Sequence, residues 1–383
     1  MTNTAPSIQT VKRWANIIVI GLFALLLWLP SLDSLFHFDH TPAFNEKRVL
    51  AQFPQFKSGL GGLKEYIAGL EAYFNDHFGC RNQLIFWHTK WTHDFFRNSG
   101  VPKVLIGKEG WLFWADDQMV EHYRGVDQFT TQDLENWKTL LEHRRDWLAQ
   151  RGIKYIFTVA PDKGSIYPEY LPDWMTKVRP DTKLDQFFTY MRSNSTVEVL
   201  DLRPVLRDSK HIAPIYFKND AHWNYLGGFL ACEEITKALS QQLPSLKPLS
   251  LDSFELARTT RSGGDLAMFL GLNDLTDDKA VSLQPKSNLP VLGMSEQLED
   301  RQGMFFTTNS VAQGNAVVFR DSFAFFMEPF LGYHFYKVTY VWRYGLDARW
   351  IELEKPSVVI SEMVERNFNV RDPQELMKSD VLK

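Results

Sequence analysis

The stretch AVVFRDSF, residues 316–323, places a short apolar run directly before an Arg-Asp-Ser triplet. The run, Ala316–Phe319, contains two β-branched residues and no charge, which is typical of a strand buried on both faces of a sheet. A helical pattern begins at Phe323. Ser322 is therefore predicted to lie at a strand-to-helix turn, where its side chain is presented outward and backbone N–H groups point to the same place.

Runs of the same kind recur along the chain at Tyr155–Val159, Val197–Leu200, Val338–Trp342 and Val358–Ser361. Helical patterns lie between several of them, at Asp133–Gln150, Lys183–Met191, Tyr225–Gln241, Phe323–Phe330 and Ala348–Glu354. Short apolar strands that alternate with helices are typical of βαβ units. The sequence therefore predicts an α/β fold with a mainly parallel sheet and helices on both faces.

One long segment, residues 244–313, does not fit this alternation. It has no clean hydrophobic period and is rich in Gly, Ser, Asp and Pro. Connections of this length inside a domain are usually functional or partly disordered. We therefore interpret the segment as a long insertion before the strand at Ala316–Phe319.

The N-terminal region carries a membrane signal. No charge interrupts the run from Ala15 to Leu32, and Lys12 and Arg13 lie just before it. Its length is at the lower edge of what crosses a bilayer as a helix. Positive charges on the N-terminal side predict a cytoplasmic N-terminus and an exported body. A cleaved signal peptide begins in the same way, but no small-x-small cleavage site follows the run.

These patterns divide the chain into four predicted parts. Residues 1–14 form a cytoplasmic N-terminus, and residues 15–32 form an uncleaved transmembrane signal anchor. Residues 33–100 form a juxtamembrane segment, which is mainly helical because apolar residues recur at helical spacing within Leu63–Phe78. Residues 101–383 form the α/β domain.

Composition and missing motifs argue against several classes of function. The formal net charge of −4 gives no overall basic field for nucleic acid. The chain has neither G-x-x-x-x-G-K-[ST] nor G-x-G-x-x-G, so nucleotide-driven chemistry has no support. It has no H-E-x-x-H, so neither a metal nor another cofactor is predicted. Two cysteines, Cys80 and Cys232, are too few for a disulfide framework, and the sequence leaves their pairing open.

A second stretch, FKNDAHWNYLGG at residues 217–228, supplies groups that could act on Ser322. Asp220 and His222 are two residues apart, so their side chains share one side of an extended loop. Asp220 would fix the imidazole tautomer, and His222 would take the Ser322 proton. Helix capping is the ordinary role of Asp220 and Ser322, and Asp-x-His also occurs in metal sites. Position alone leaves these alternatives open.

Several motifs together resemble a known family. RDSF at 320–323, DAHWN at 220–224 and PDKGSIYPEYLP at 161–172 resemble the SGNH-hydrolase-like domain of the alginate O-acetyltransferases AlgJ and AlgX. The motifs GKEGWLF at 107–113, NDHFGCR at 75–81 and EKPSVVISEMVER at 354–366 are similar to the same family. The resemblance covers most of the chain after the N-terminal run, and that run makes the architecture closer to AlgJ than to AlgX.

The resemblance implies a circularly permuted SGNH-hydrolase-like fold, which is flavodoxin-like and carries its nucleophile late in the chain. It implies Ser322 as the nucleophile, His222 as the base and Asp220 as the orienting acid. Four further side chains near the same edge of the sheet are expected to bind substrate, although packing or solvation is their ordinary role: Lys163, Trp223, Arg320 and Arg343.

The resemblance also implies an O-acetyltransferase for an exported, alginate-like polysaccharide that works through an acetyl-serine intermediate. Such a protein would cross the bacterial inner membrane once, face the periplasm, and receive acetyl from a multi-pass membrane O-acyltransferase partner. Motifs do not separate it from an acetylesterase with the same triad. A non-catalytic polysaccharide-binding scaffold of an export complex is an alternative of another class, against which an intact triad argues.

Overall fold

The computed structural model describes residues 8–39, 50–56, 58–84, 87, 101–272, 276–295 and 304–382. The chain divides into two compact units, residues 1–100 with 268–272, and residues 101–267 with 273–383. In the first unit, helices span Ile8–Phe36 and Leu60–His77. The part from Lys12 to Phe36 is long and apolar enough to cross a membrane, judged by length and composition. Parts of the predicted juxtamembrane segment and of the insertion lie outside the described residues.

The second unit contains strands that we label in chain order: β1 Val104–Ile106, β2 Leu112–Trp114, β3 Lys154–Ala160, β4 Glu198–Asp201, β5 Phe254–Ser262, β6 Asp277–Pro285, β7 Gly293–Met294, β8 Phe305–Thr308, β9 Asn315–Arg320, β10 Lys337–Trp342 and β11 Val358–Val364. Within the described residues, seven of them form one sheet in the order β4-β3-β11-β9-β10-β8-β7. The pairs from β4 to β10 are parallel, and β8 and β7 add antiparallel strands at one edge.

The α-helices of this part of the chain span Met119–Arg124, Thr131–Ala149, Lys163–Ile166, Lys183–Asn194, Arg203–Asp208, Tyr225–Gln242, Asp265–Phe269, Glu328–Leu331, Ala348–Glu354, Glu365–Val370 and Pro373–Ser379. The helices Thr131–Ala149 and Lys183–Asn194 each begin with a capping box, in which a threonine and an aspartate satisfy free N–H groups of the first turn.

Both faces of the sheet are buried, because successive side chains of a strand point to opposite faces. Val317 and Phe319 belong to one core, which the helices Thr131–Ala149 and Lys183–Asn194 cover. Val318 belongs to the other core, which the helix Tyr225–Gln242 covers. A run such as Ala316–Phe319 is apolar at every position for this reason.

The predicted α/β sheet with helices on both faces is confirmed, and each predicted apolar run overlaps an observed strand. The helix predicted at Phe323–Phe330 is wrong in detail. A 3-10 turn spans Ser322–Phe326 and is followed by a short α-helix at Glu328–Leu331. Pro329 explains the break, because it has no N–H to donate to a carbonyl of the preceding turn.

The segment 244–313 holds regular structure that its sequence does not reveal. β5 and β6 form an antiparallel ribbon of nine residues per strand. Most of β5 is exposed, so neither of its faces needs to be apolar and no alternation appears in the sequence. The described part of the predicted insertion therefore contains strands that its sequence pattern does not predict.

Candidate active site

Ser322 lies one residue beyond Asp321, which follows β9, and is the first residue of a 3-10 turn. Asp321 caps this turn, because its carboxylate accepts a hydrogen bond from the N–H of Phe323 at 2.9 Å. The same carboxylate accepts the N–H of Val364, the last residue of β11, at 2.7 Å. Tyr344 donates its hydroxyl to the same carboxylate at 2.6 Å. These bonds fix the backbone on both sides of Ser322 at the carboxyl edge of the sheet.

His222 connects the two stretches that the sequence singles out. Its Nε2 lies 2.7 Å from Ser322 Oγ, and its Nδ1 lies 2.7 Å from Asp220 Oδ1. The backbone N–H of His222 also donates to Asp220 Oδ1, at 3.1 Å. The spacing of two residues thus produces a carboxylate and an imidazole in direct contact. This is the arrangement of a nucleophile, a base and a group that orients the base.

The Asp220 carboxylate is buried and nevertheless favours its charged form. Burial raises its pKa, but the hydrogen bond and charge of His222 and the charge of Arg261 lower it more, so the pKa lies well below its usual range. Arg261 Nη2 lies 3.1 Å from Asp220 Oδ2. An ionised Asp220 holds the proton of His222 on Nδ1, which leaves Nε2 able to accept the Ser322 proton.

The Lys163 side chain is buried beneath the triad loop, residues 217–222, which carries Asp220 and His222. Its ammonium donates to the carbonyls of Phe217 (2.9 Å), Lys218 (3.0 Å) and Asp220 (2.7 Å). Burial lowers the pKa of Lys163 to about 8. All three N–H groups are used, so the expectation that Lys163 binds substrate is corrected, and its role is to hold the loop that carries Asp220.

Trp223 is also fully buried. Its Nε1 donates to the carbonyl of Phe323 at 2.8 Å, and its ring packs edge-on against the Phe323 ring. The side chain therefore braces the His222 loop against the Ser322 turn. This corrects the second expectation of a substrate contact.

Arg320 forms part of the wall of a cleft but is itself enclosed. Its guanidinium lies 4.4–4.9 Å from the ring centres of Phe305, Phe325 and Trp342, and it has no exposed surface. The strand β9 ends at Arg320, so the side chain points into the layer of aromatic rings beside the sheet. We therefore assign it to the packing of the cleft wall, which corrects the expectation that it binds substrate directly.

The cleft beside Ser322 has a volume of about 780 Å³. Its lining includes Trp342, Arg343 and Arg371, and it also reaches the acidic side chains of Asp372 and Glu375. Arg343 is partly exposed and is oriented by bonds to the Asp347 carboxylate and the Ser379 carbonyl. Of the four side chains that the sequence offers for substrate binding, Arg343 alone borders this cleft with part of its surface exposed.

Sequence reasoning missed two charged groups at the triad, Arg261 and Asp265. Both lie in the segment RSGGD, residues 261–265, at the end of β5. Asp265 accepts the N–H of Ala221 at 2.7 Å, and its other oxygen lies 3.6 Å from His222 Nδ1. Burial and the charge of Asp220 raise the pKa of Asp265. A Gly-Gly pair between opposite charges is the one signal in the sequence that could have drawn attention to this segment.

Two groups of side chains among the described residues bring possible metal ligands within 4.8 Å of one another: Asp33, Asp39 and Cys80, and Asp220, His222 and Asp265. In the first group, Asp33 accepts backbone N–H groups of the other two residues at 2.7 Å. In the second group, the hydrogen bonds given above occupy both imidazole nitrogens. Both groups are accounted for by hydrogen bonding, and we assign no metal to them. Cys80 and Cys232 are both buried, free thiols.

A tetrahedral intermediate on Ser322 needs a donor for its oxyanion. The backbone N–H of Ser322 starts a helical turn, and no acceptor for it is found among the described residues. Arg366 also borders the cleft, and its guanidinium is ion-paired with the Asp162 carboxylate. The Ser322 N–H is therefore the one donor that both the sequence and the described geometry supply.

Comparison with known proteins relates this chain to a known family. Residues 104–353 match the family model of the SGNH hydrolase-like domain, acetyltransferase AlgX. The probable alginate O-acetylase AlgJ of Pseudomonas putida is 28% identical over 199 residues, which are 51% of this chain and 49% of that protein. The protein of the same name from Pseudomonas aeruginosa is 29% identical over 188 residues, 47% of this chain and 44% of that protein. The chain spans about half the length of the curated relatives it matches.

Among solved structures, PatB1 of Bacillus cereus superposes with a TM-score of 0.53 at 16% identity, covering 70% of this chain and 98% of that one. At this level of identity the likeness concerns the fold. Together with the family match over residues 104–353, it confirms the predicted SGNH-hydrolase-like fold class.

Proposed function

The chain belongs to the SGNH hydrolase-like acetyltransferase family of AlgX, and on that basis we propose that it transfers acetyl groups to hydroxyls of an exported, alginate-like polysaccharide. The observation that carries the proposal is the chain of hydrogen bonds from Asp220 through His222 to Ser322 beside an open cleft. The curated relatives are named probable alginate O-acetylases, which supports both the acetyl group and the polymer.

In the first half of the proposed reaction, Ser322 Oγ attacks the carbonyl carbon of an acetyl ester while His222 Nε2 takes the hydroxyl proton. The Ser322 N–H donates to the oxyanion of the tetrahedral intermediate. The bond to the leaving oxygen then breaks, and His222 returns the proton to that oxygen. Ser322 is left as an acetyl ester.

In the second half, a sugar hydroxyl attacks the acetyl carbonyl and gives its proton to His222. Collapse of the intermediate breaks the bond to Ser322 Oγ, which takes the proton back. Water can attack in the same way, so transfer requires that the cleft hold a sugar hydroxyl closer to the ester than water.

The cleft is suited to a carboxylated sugar polymer. Trp342 is 45% exposed at its wall and offers a flat apolar surface to a sugar ring. Arg343 and Arg371 offer guanidinium groups, which bind carboxylates through paired hydrogen bonds. We propose that these three side chains hold the polymer while Ser322 carries the acetyl group.

We also propose the location and the partner that the family resemblance implies. The apolar helix that includes residues 15–32 would anchor the protein in the bacterial inner membrane, with residues 1–14 in the cytoplasm and residues 33–383 in the periplasm. A multi-pass O-acyltransferase would bring acetyl across the membrane. A reporter that is active only in the periplasm, fused after Lys383, should be active in cells, and its inactivity would contradict this orientation.

The experiment that tests the proposed activity uses the full chain in detergent micelles with a chromogenic acetyl ester. Oligosaccharides of uronic acids serve as acceptors, and a neutral oligosaccharide of equal length serves as the control. Acetylated sugar and free acetate are both measured, for the wild type and for Ser322→Ala. We expect acetylated uronate from the wild type alone.

Other outcomes separate the remaining functions. Free acetate as the sole product, made by the wild type and not by Ser322→Ala, would identify an acetylesterase. Binding of the polymer by both proteins without turnover, together with full complementation of polymer acetylation in cells by Ser322→Ala, would identify a non-catalytic scaffold.

A further inference from the structure

The segment Arg261–Asp265 packs its backbone against the loop that carries the triad. Gly264 has a φ of +147°, and a Cβ at this position would lie 2.3 Å from the carbonyl oxygen of Asn219. The preceding Gly263 also has a positive φ, of 73°. Both conformations favour glycine, so the Gly-Gly pair permits a turn and a close approach that other residues would prevent.

This close approach places opposite charges on the two sides of the Asp220–His222 pair. Arg261 Nη2 lies 3.1 Å from Asp220 Oδ2, the carboxylate oxygen that does not contact the imidazole. Asp265 Oδ2 lies 3.6 Å from His222 Nδ1, next to the proton that Asp220 already holds. The backbone N–H of Asp265 also donates to Asp220 Oδ2, at 3.3 Å.

The two charges act in opposite directions on a protonated imidazole. A carboxylate near Nδ1 stabilises the imidazolium that forms when His222 takes a proton. The guanidinium of Arg261 is ion-paired with the Asp220 carboxylate. It partly neutralises that negative charge and therefore makes the imidazolium less stable. Asp265 should have the larger effect, because its side chain is 20% exposed, whereas that of Arg261 is 42% exposed and is screened more by solvent.

Other charged groups surround His222 and stay constant when either residue is changed. Lys163 is bonded to the carbonyls of the triad loop, and Asp278 accepts the Asn219 N–H at 2.8 Å. Arg366 is ion-paired with Asp162, and the carboxylate of Asp321 accepts the N–H groups of Phe323 and Val364. Each of these groups keeps its own partner, so none replaces Arg261 or Asp265.

We propose that Asp265 and Arg261 are positioning residues that set the proton affinity of His222 in opposite directions, Asp265 raising it and Arg261 lowering it. This inference rests on the proposed function, in which His222 is the base. It assigns a role to the end of β5: Arg261 lies on that strand, and the Gly-Gly turn that follows the strand brings Asp265 to the triad.

The test is the pH dependence of kcat/KM for the full chain with the chromogenic acetyl ester. His222 must be neutral to accept the Ser322 proton, so kcat/KM falls at low pH as the imidazole becomes protonated. We call this falling part of the pH profile the acid limb. Asp265→Asn keeps an oxygen for the Ala221 N–H but removes the charge, and should move the acid limb to lower pH by about one unit. Arg261→Gln should move the limb to higher pH, by less. Arg258→Gln, which removes an exposed charge from the same strand, should leave the limb in place.

A second measurement does not depend on turnover. The imidazole of His222 is titrated by NMR in a Ser322→Ala background, and its signal is identified by its loss in His222→Gln. The midpoint should fall with Asp265→Asn and rise with Arg261→Gln.

Equal midpoints in all variants, or a fall in kcat with no movement of the limb, would show that the segment is structural only and would overturn the proposal. Ester turnover that survives Ser322→Ala would instead refute the proposed function. The NMR titration would still report on the two charges in that case.

Discussion

His222 Nε2 and Ser322 Oγ lie 2.7 Å apart although 100 residues separate them in the chain. The contact joins a loop that begins the helix Tyr225–Gln242 to a turn that follows β9. Trp223 stabilises the junction, because its indole N–H donates to the Phe323 carbonyl one residue beyond Ser322. The bond links the residue after His222 to the residue after Ser322, so it holds the two backbone segments next to each other.

Asp220→Asn should lower kcat for the acetyl ester by about a thousandfold while the protein stays folded. The amide cannot hold the His222 proton on Nδ1, so the imidazole no longer presents a free Nε2 to Ser322. Steady-state kinetics measures the effect. Asp277→Asn, which changes an exposed carboxylate on β6, should leave kcat unchanged. An Asp220→Asn protein with more than a tenth of the wild-type kcat would contradict the role of Asp220.

Lys163→Met should lower the free energy of unfolding by about 2–3 kcal/mol, because three buried carbonyls lose their donor. Urea unfolding followed by circular dichroism measures the change. Lys279→Met on the exposed side of β6 is the matched control and should have little effect. If both variants are equally stable, Lys163 does not support the triad loop.

Trp342→Ala should raise KM for an oligouronate acceptor by about tenfold and leave kcat/KM for the small ester nearly unchanged. The ring borders the cleft, whereas the acetyl ester needs contact with the triad alone. Trp174→Ala removes a ring that is 56% exposed outside the cleft, and serves as the control. Equal KM values for the acceptor in both variants would exclude Trp342 from acceptor binding.

The contribution of Glu328 to the stability of the protein should fall as the pH rises from about 4.5 to about 9. Burial raises the pKa of Glu328 to about 9, more than the charge of Arg320 lowers it. Between the two values the unfolded chain loses this proton and the folded chain keeps it, so unfolding becomes more favourable with pH.

Glu328→Gln removes this proton from both states, and its stability relative to the wild type should therefore increase from pH 5 to pH 9. Denaturant unfolding at several pH values measures the difference. Glu352→Gln, at an exposed position, should follow the wild type. A constant difference between Glu328→Gln and the wild type across this range would mean that Glu328 is ionised in the folded protein.

The parts of the site that could be predicted from sequence are those fixed by local geometry. Asp220 and His222 are two residues apart on one short loop, and Ser322 lies two residues after the end of a strand, so each position is set by its neighbours. The apolar runs predict the sheet equally well, because parallel strands buried on both faces leave a continuous signal.

The parts that could not be predicted depend on contacts between distant segments. Lys163 follows a strand at the active edge, and only the path of the loop at Phe217–Asp220 turns it into a buried support. Arg261 lies on β5, which is largely exposed, and Asp265 follows that strand after a Gly-Gly turn, so no hydrophobic period reveals the segment that delivers them. Arg320 looks like a substrate ligand until the aromatic rings around it are known.

The most direct test of the central claim is a search for acetyl on Ser322. The full chain is mixed with an activated acetyl ester, quenched with acid within the first turnover, digested and analysed by mass spectrometry. We expect a mass increase of one acetyl group on the peptide that contains Ser322, with none in Ser322→Ala and accumulation when the acceptor is withheld. Turnover of the ester without acetyl on Ser322, or equal turnover by Ser322→Ala, would contradict the account.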